Sequence, residues 1–169
     1  MMMNIETSRL LITDFTPDMA RAVHLGSLDA DTRRFLPDEV FETEEIAAEV
    51  IADLMDCCLG DEGPFVHPCL LKDGTYIGYV QLVPIDEGFE VGYHILAEHT
   101  RRGYATEALR AFMPHMMEKY HLQHVMGICD AENAASIRVM EKCGFRCVFE
   151  GIAPYHGKMQ PVVKMVFEL

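Results

Sequence analysis

No run in this sequence approaches the ~18 to 20 continuous apolar residues that a membrane-spanning helix requires, so a bilayer-embedded chain is excluded. The opening Met1-Met2-Met3-Asn4-Ile5-Glu6 carries no basic segment, apolar stretch or small-residue cleavage site, and a cytoplasmic location is expected. Cys-x-x-Cys is absent: the six cysteines stand at 57, 58, 69, 129, 143 and 147, a spacing that predicts reduced, mostly buried thiols. His121 and His124 are three apart but lack a Glu-x-x-His companion, so no metal is expected. With no internal repeat, low-complexity tract or linker, the 169 residues predict one domain over 1–169. Basic residues are scarce in the first part of the chain: residues 1–96 hold 5 Lys/Arg against 19 Asp/Glu, while residues 97–169 hold 9 against 8. Such an acidic half repels nucleic acid and favours a cationic or amine-bearing ligand, although a solvated acidic surface gives the same count.

What is present alternates between the two periods of regular structure. Arg9 to Thr13 reads as a strand; Thr16-Pro17-Asp18 supplies a cap, a first-turn proline and an acidic first turn for a helix to about Leu25. A second helix is predicted after Thr43, with Ile46, Val50, Leu54 and Cys58 on one face. Strands follow at Phe65 to Leu71 and Tyr76 to Val83 around the Lys72-Asp73-Gly74 turn, then at Phe89 to Leu96. A helix from Tyr104 to about Lys119 presents Ala105, Leu109, Phe112 and Met116, and Pro114 predicts a kink or early stop near Met113. The remainder reads as strand (His124 to Cys129), helix (Ala134 to Cys143, ended by Gly144) and two strands (Phe145 to Gly151, Val162 to Glu168). Residues 29–40 and 152–160 look like loops.

Two segments carry chemistry. In Val91-Gly92-Tyr93-His94-Ile95-Leu96 followed by Arg101-Arg102-Gly103-Tyr104-Ala105-Thr106-Glu107-Ala108, a strand passes through a glycine turn straight into a helix. Such a terminus leaves backbone N–H groups unpaired and pointing outward, which suits an anion. Gly103 permits close approach, Ala105 adds no bulk, and two arginines add positive charge. The second segment, Asn133 to Phe145, opens with a capping asparagine, places Ser136 one turn on, and ends Glu141-Lys142-Cys143-Gly144-Phe145.

Together, about thirty residues apart and in this order, these segments resemble the GNAT superfamily of acetyltransferases, and more closely its RimJ/RimL-like branch, which acetylates protein N-termini and small amines. Ser8-Arg9-Leu10-Leu11-Ile12 belongs to the same resemblance. It implies an α/β (α+β) fold: a mixed, mostly antiparallel sheet of about seven strands, flanked by about four helices and splayed between strands 4 and 5, here Phe89 to Leu96 and His124 to Cys129. Acetyl-CoA would be wedged into the split as co-substrate. Backbone groups of Ile95 and Leu96 would meet its pantetheine arm. Amides of Arg101, Arg102, Gly103, Tyr104, Ala105 and Thr106 would hold its pyrophosphate, and Asn133 would contact the arm. Thr100 stands where the family pattern usually carries Gln or Arg, and Arg101 is positioned to compensate.

Direct acetyl transfer to an amine needs a group to accept the amine proton, stabilisation of an oxyanion and a partner for the departing thiolate. Glu90 is the candidate base. His94 shares its face by strand alternation and is the reserve. Many relatives place a tyrosine before the Glu-Lys pair as acid toward the thiolate, a position held here by Met140, which has no proton to give. Ser136 is then the candidate hydrogen-bond donor to sulfur. The implied partners are an amine acceptor, a cationic small molecule or a peptide N-terminus, in a monomer or homodimer with no nucleic acid or membrane. A non-catalytic acyl-CoA-binding regulatory module is the alternative that Met140 raises.

Overall fold

Branched residues at period two and capped amphipathic segments give the chain eight strands and five α-helices in the computed structural model, which describes residues 2–169. In chain order these are β1 (Ile5–Glu6), β2 (Leu10–Ile12), α1 (Ala20–Gly26), α2 (Ala30–Phe35), α3 (Glu44–Leu59), β3 (Phe65–Leu71), β4 (Tyr76–Ile85), β5 (Gly88–Ile95), α4 (Tyr104–Lys119), β6 (His124–Asp130), α5 (Ala134–Lys142), β7 (Arg146–Tyr155) and β8 (Lys158–Glu168). One sheet runs β1-β2-β3-β4-β5-β6-β8-β7. The expected fold class holds. The extra strand is the two-residue β1, so the strands expected as fourth and fifth are β5 and β6.

Every neighbouring pair is antiparallel except β5 and β6, which are parallel and meet at a single register pair, Glu90 with Met126. By contrast, β5 pairs with β4 from Gly88 to Ile95, and β6 with β8 from His124 to Asp130. Beyond Glu90 the sheet therefore parts, as expected from the resemblance.

Each face of the sheet has its own core. Against one face, α4 and α5 bury Leu109, Phe112, Met116 and Met140 with Phe65, Ile77, Val80 and Val125. Against the other, α1 and α3 bury Val23, Ala47 and Ile51 with Val66, Leu70, Tyr76 and Tyr79. Full burial of each large side chain contributes roughly 1.5–3 kcal/mol. Alternation from the register pairs puts Tyr79, Gln81, Glu90, His94 and Lys164 on the α1–α3 face, and Tyr93 and Cys129 on the α4–α5 face.

Four local expectations need correction. Helix α3 turns Ala47 and Ile51 inward and leaves Ile46 43% exposed, because the small alanine lets the helix approach the sheet closely. Helix α4 runs through Pro114 to Lys119. The proline lies on the exposed side of the helix, where solvent can meet the carbonyl that loses its partner. Residues 29–40 are not a loop: Asp29 caps α2 by accepting from Thr32 N at 3.1 Å, and Pro37–Glu39 form a 3-10 turn. Residues 152–160 continue β7 and open β8, with Pro154 tolerated because β7 is an edge strand.

Candidate active site

The turn into α4 is built to leave donors free. Arg101 and Gly103 both have left-handed backbones, with φ of 61° and 80°, and Gly103 forms the N-terminal boundary of the helix. The first helical-type bond closes at Glu107 N, which donates to Gly103 O at 3.0 Å. None of the N–H groups of Arg101, Arg102, Gly103, Tyr104, Ala105 or Thr106 has a protein acceptor among the described residues. Arg9 braces the turn from a distance. Its Nη1 donates to Arg102 O at 2.9 Å, its Nε to Glu107 Oε2 at 2.6 Å, and its guanidinium lies 4.4 Å from the centre of the Tyr104 ring. Thr7 Oγ1 also donates to Glu107, at 2.6 Å. Burial alone would raise the Glu107 carboxyl, but these bonds outweigh it and hold the group below its ordinary value. Beside the turn lies a groove of about 630 Å³ lined by Arg9, Gly103, Thr106, Arg110 and Lys142 among others. Its charge suits an anion.

Where the sheet parts, the backbone of β5 changes partner. Leu96 N donates to Ile77 O at 2.8 Å and Leu96 O accepts from His99 N, so the main chain of Leu96 is engaged within the protein. By the alternation of an antiparallel ladder, Ile95 turns its N–H and C=O away from β4 toward the gap. Of the two residues expected to offer main-chain bonds there, Ile95 is free to do so. Leu96 contributes a buried side chain instead.

On the α4–α5 side of the gap, Asn133 caps α5 by accepting from Ser136 N at 3.2 Å, which commits Oδ1 and leaves the Nδ2 donors. Tyr93, absent from the sequence-derived candidates, sits here. Its hydroxyl is 2.9 Å from both the carbonyl oxygen and Oγ of Ser136. As the carbonyl only accepts, the tyrosine proton goes to it, and the serine hydroxyl donates to the phenol oxygen. Burial pushes the Tyr93 phenol up and the neighbouring Cys129 thiol up to about 11. Met140, by contrast, is 2% exposed, and its sulfur occupies the space a side chain at Gly127 would need. It joins α5 to β6 as core.

On the α1–α3 side, Glu90 makes no hydrogen bond or ion pair with the described residues. Burial, reinforced by the charge of Glu39, pushes its carboxyl up to about 7 against the pull of Lys164. His94 is held by the buried Thr32, whose Oγ1 lies 2.9 Å from His94 Nε2 and 2.5 Å from Asp29 Oδ1. A carboxylate only accepts, so the threonine proton goes to Asp29 and His94 must carry its own on Nε2, leaving Nδ1 as the basic nitrogen. Desolvation lowers His94, with Asp29 opposing, and the ring is neutral.

Thus the fold brings Glu90 and His94 to one face of the parting and Tyr93 and Ser136 to the other, with the free amides of 101–106 at the head of α4. The six cysteines are free thiols, and no helix among the described residues is long and apolar enough to cross a membrane. Among the described residues no cluster of three His, Cys, Asp or Glu side chains is placed to hold a metal.

The described geometry coincides with a known family. Residues 9–146 match the acetyltransferase (GNAT) domain. The chain is 28% identical to the uncharacterized N-acetyltransferase YnaD of Bacillus subtilis over 146 residues, covering 85% of this chain and 83% of the relative. A GNAT-family acetyltransferase from Bacillus anthracis superimposes with a TM-score of 0.82 at 26% identity, covering 98% of each chain. RimL, a ribosomal alpha-N-protein acetyltransferase solved in complex with coenzyme A, shares the fold at a TM-score of 0.80 and 18% identity, covering 100% of this chain and 98% of its own. The chain therefore belongs to the GNAT family of acetyl-CoA-dependent acetyltransferases.

Proposed function

We propose that the protein acetylates a primary amine, either a protein or peptide N-terminus or a small cationic amine, in the manner of the RimJ/RimL-like branch. The observation that carries this reading is the parted sheet with an unpaired carboxyl on one face and a hydroxyl pair on the other. Acetyl-CoA supplies an activated acetyl thioester, and the residues present suit it. The free amides of Arg101, Arg102, Gly103, Tyr104, Ala105 and Thr106, with the cationic groove beside them, match a diphosphate. The gap-facing main chain of Ile95 and the Nδ2 group of Asn133 match the polar amides of a pantetheine arm.

Glu90 accepts the amine proton at a carboxylate oxygen. A value near 7 suits this, since the group is then ionised in a useful fraction and still takes a proton readily. His94, neutral and oriented by Thr32, stands in reserve through Nδ1. When the Tyr93 proton turns from the Ser136 carbonyl to Ser136 Oγ, 2.9 Å from both, the serine proton is released to donate a hydrogen bond toward the sulfur from the opposite face. Separating base and donor by the thickness of the sheet lets amine and sulfur sit on opposite sides of the reacting carbon. The non-catalytic reading rested on Met140, which packs in the core, while a hydroxyl donor lies at Ser136.

Thiol release from acetyl-CoA over a panel of peptide N-termini and small amines, set against a blank without acceptor, tests this directly. Tight acetyl-CoA binding with no amine-dependent thiol release would return the chain to the regulatory alternative. Within the panel, Ser136→Ala should lower kcat about 10-fold or more with acetyl-CoA Kd changed less than about 2-fold, the pattern of a bond made mainly in the transition state. Equal turnover removes Ser136 from the chemistry.

A further inference from the structure

Residues 30–39 form a strap across the parting, on the face that carries Glu90. At the β6 end, Arg34 of α2 is paired with Glu132 in the β6–α5 loop, and His156 Nδ1, in the β7–β8 turn, lies 2.7 Å from Asp38 Oδ2. Toward β4, Gln81 Nε2 donates to Glu39 Oε1 at 3.4 Å. Gln81 can lie there because residue 92 is glycine: a Cβ at Gly92 would come within 2.6 Å of that same nitrogen. Gln81 pairs with Gly92 and Val83 with Glu90, so Gln81 and Glu90 are diagonal neighbours on one face. The strap therefore hangs the Glu39 carboxyl beside the candidate base.

That carboxyl is incomplete. Its Oε2 is shut away from solvent and has no hydrogen-bond partner, and neither Glu39 nor Glu90 forms an ion pair with the described residues. A buried carboxyl oxygen without a donor is costly, and the protein brings no donor of its own to it. Burial raises Glu39 to about 7, as it does Glu90. Two such groups side by side are relieved by one cation placed between them.

We infer that Glu39 captures the acceptor as an ammonium ion, so that the enzyme selects amines protonated in solution over amines that are neutral there. Its carboxyl turns as the amine enters the parting, and Oε2, closed to solvent in the free protein, accepts a hydrogen bond from the cationic nitrogen. The inference rests on the acetyltransferase reading above and adds to it the charge state of the acceptor and the residue that reads it. The nitrogen loses two protons in all. One passes to Glu90 and on to solvent; the other ends on sulfur as the C–N bond forms and the C–S bond breaks.

Wild type and Glu39→Gln are compared with three ammonium acceptors, an alkylamine, a polyamine and a peptide α-amine, and with an arylamine that is neutral at the same pH. For whichever ammonium acceptor wild type uses, Glu39→Gln should raise KM on the order of 10- to 100-fold, the loss of one hydrogen bond to a charged group, with kcat changed far less. The arylamine constants should move less than about 2-fold. Glu39→Asp should recover part of the loss, and Tm of Glu39→Gln should not fall, because the substitution removes an unpaired acid. Unchanged KM for the ammonium acceptors, equal losses on both kinds of amine, or a wild type that acetylates the arylamine alone would each overturn the inference while leaving the enzyme reading intact. Absence of thiol release with every amine sinks the enzyme reading itself, and the inference falls with it.

Discussion

The two sides of the parted sheet are built from different materials. On the α4–α5 side, the donors at the head of α4 are main-chain amides, fixed by the left-handed backbones of Arg101 and Gly103 and braced by Arg9. On the α1–α3 side, the chemistry lies in side chains from three separate stretches: Glu39 on the strap, Gln81 on β4, and Glu90 and His94 on β5. The strap is held by surface pairs, of which Arg34 with Glu132 is exposed on both partners, 57% and 73%. Such pairs contribute little each. A site made of backbone depends on local conformation and tolerates changes of side chain, whereas a site made of side chains is re-specified by a single substitution. A shared cofactor and a variable acceptor fit that division.

The largest effect should come from the acceptor side. Glu90→Gln should lower kcat on the order of 10²- to 10⁴-fold, the usual worth of a positioned base, while acetyl-CoA Kd from calorimetry stays put. In wild type the rate should fall as pH drops below about 7, because the carboxylate must be ionised to accept a proton. The variant should lose that limb, and an unchanged limb would return the role to His94 or solvent. On the other side, Arg9→Ala should do the reverse: acetyl-CoA Kd rises about 10-fold as the turn loosens, with kcat at saturation nearly kept. Arg9 holds the turn through Arg102 O and Glu107 and adds its own charge to the groove, so its loss falls on Kd and not on kcat. A fall in kcat with unchanged Kd would erase the contrast between the two sides.

The turn into α4 and the capped start of α5 were legible because their signals are local. A strand, a glycine turn and a helix start follow one another in Val91 to Ala108, and Asn133 and Gly144 are caps within a single helix. Strand alternation likewise put Glu90 and His94 together, as the register confirms. The same alternation assigns Tyr93 to the opposite face. Its bond to Ser136 depends on where α5 docks, 43 residues away, and no spacing in the sequence encodes that. Glu39 was hidden for the same reason, being 42 residues from Gln81. The strap did offer a local cue, the cap formed by Asp29 and Thr32, but a six-residue helix ending in Leu36-Pro37 is too short to show a periodic face. In α3 the apolar row of Ile46, Val50, Leu54 and Cys58 misled by one position, since Ala47 marks the buried side by its small size rather than by hydrophobicity. At Met140 position and packing say different things: the position lacks the acid that the resemblance leads one to expect, and the 2% exposure shows that the side chain serves the core.

The smallest effect separates the two sides by the sign of their pH dependence. Glu39 and Glu90 are held at about 7 in the native protein against an ordinary 4.5, so the folded state takes up their protons more readily than the unfolded state. Their contribution to stability is complete below about 4.5 and is lost as pH rises through about 7. Glu107 on the cofactor side is held below its ordinary value, so its contribution is present above that value and is lost as pH falls through its lowered one. Thermal melts should therefore diverge in opposite directions. The double variant Glu39→Gln, Glu90→Gln should melt a few degrees above wild type at about pH 8, with the gap closing toward about pH 4.5. Glu107→Gln should melt below wild type at neutral pH, and its deficit should close only in stronger acid. Partial exposure to solvent keeps both differences small. Two variants that track wild type in parallel across this range would show that neither carboxyl environment differs from water, and the physical contrast between the sides would be lost.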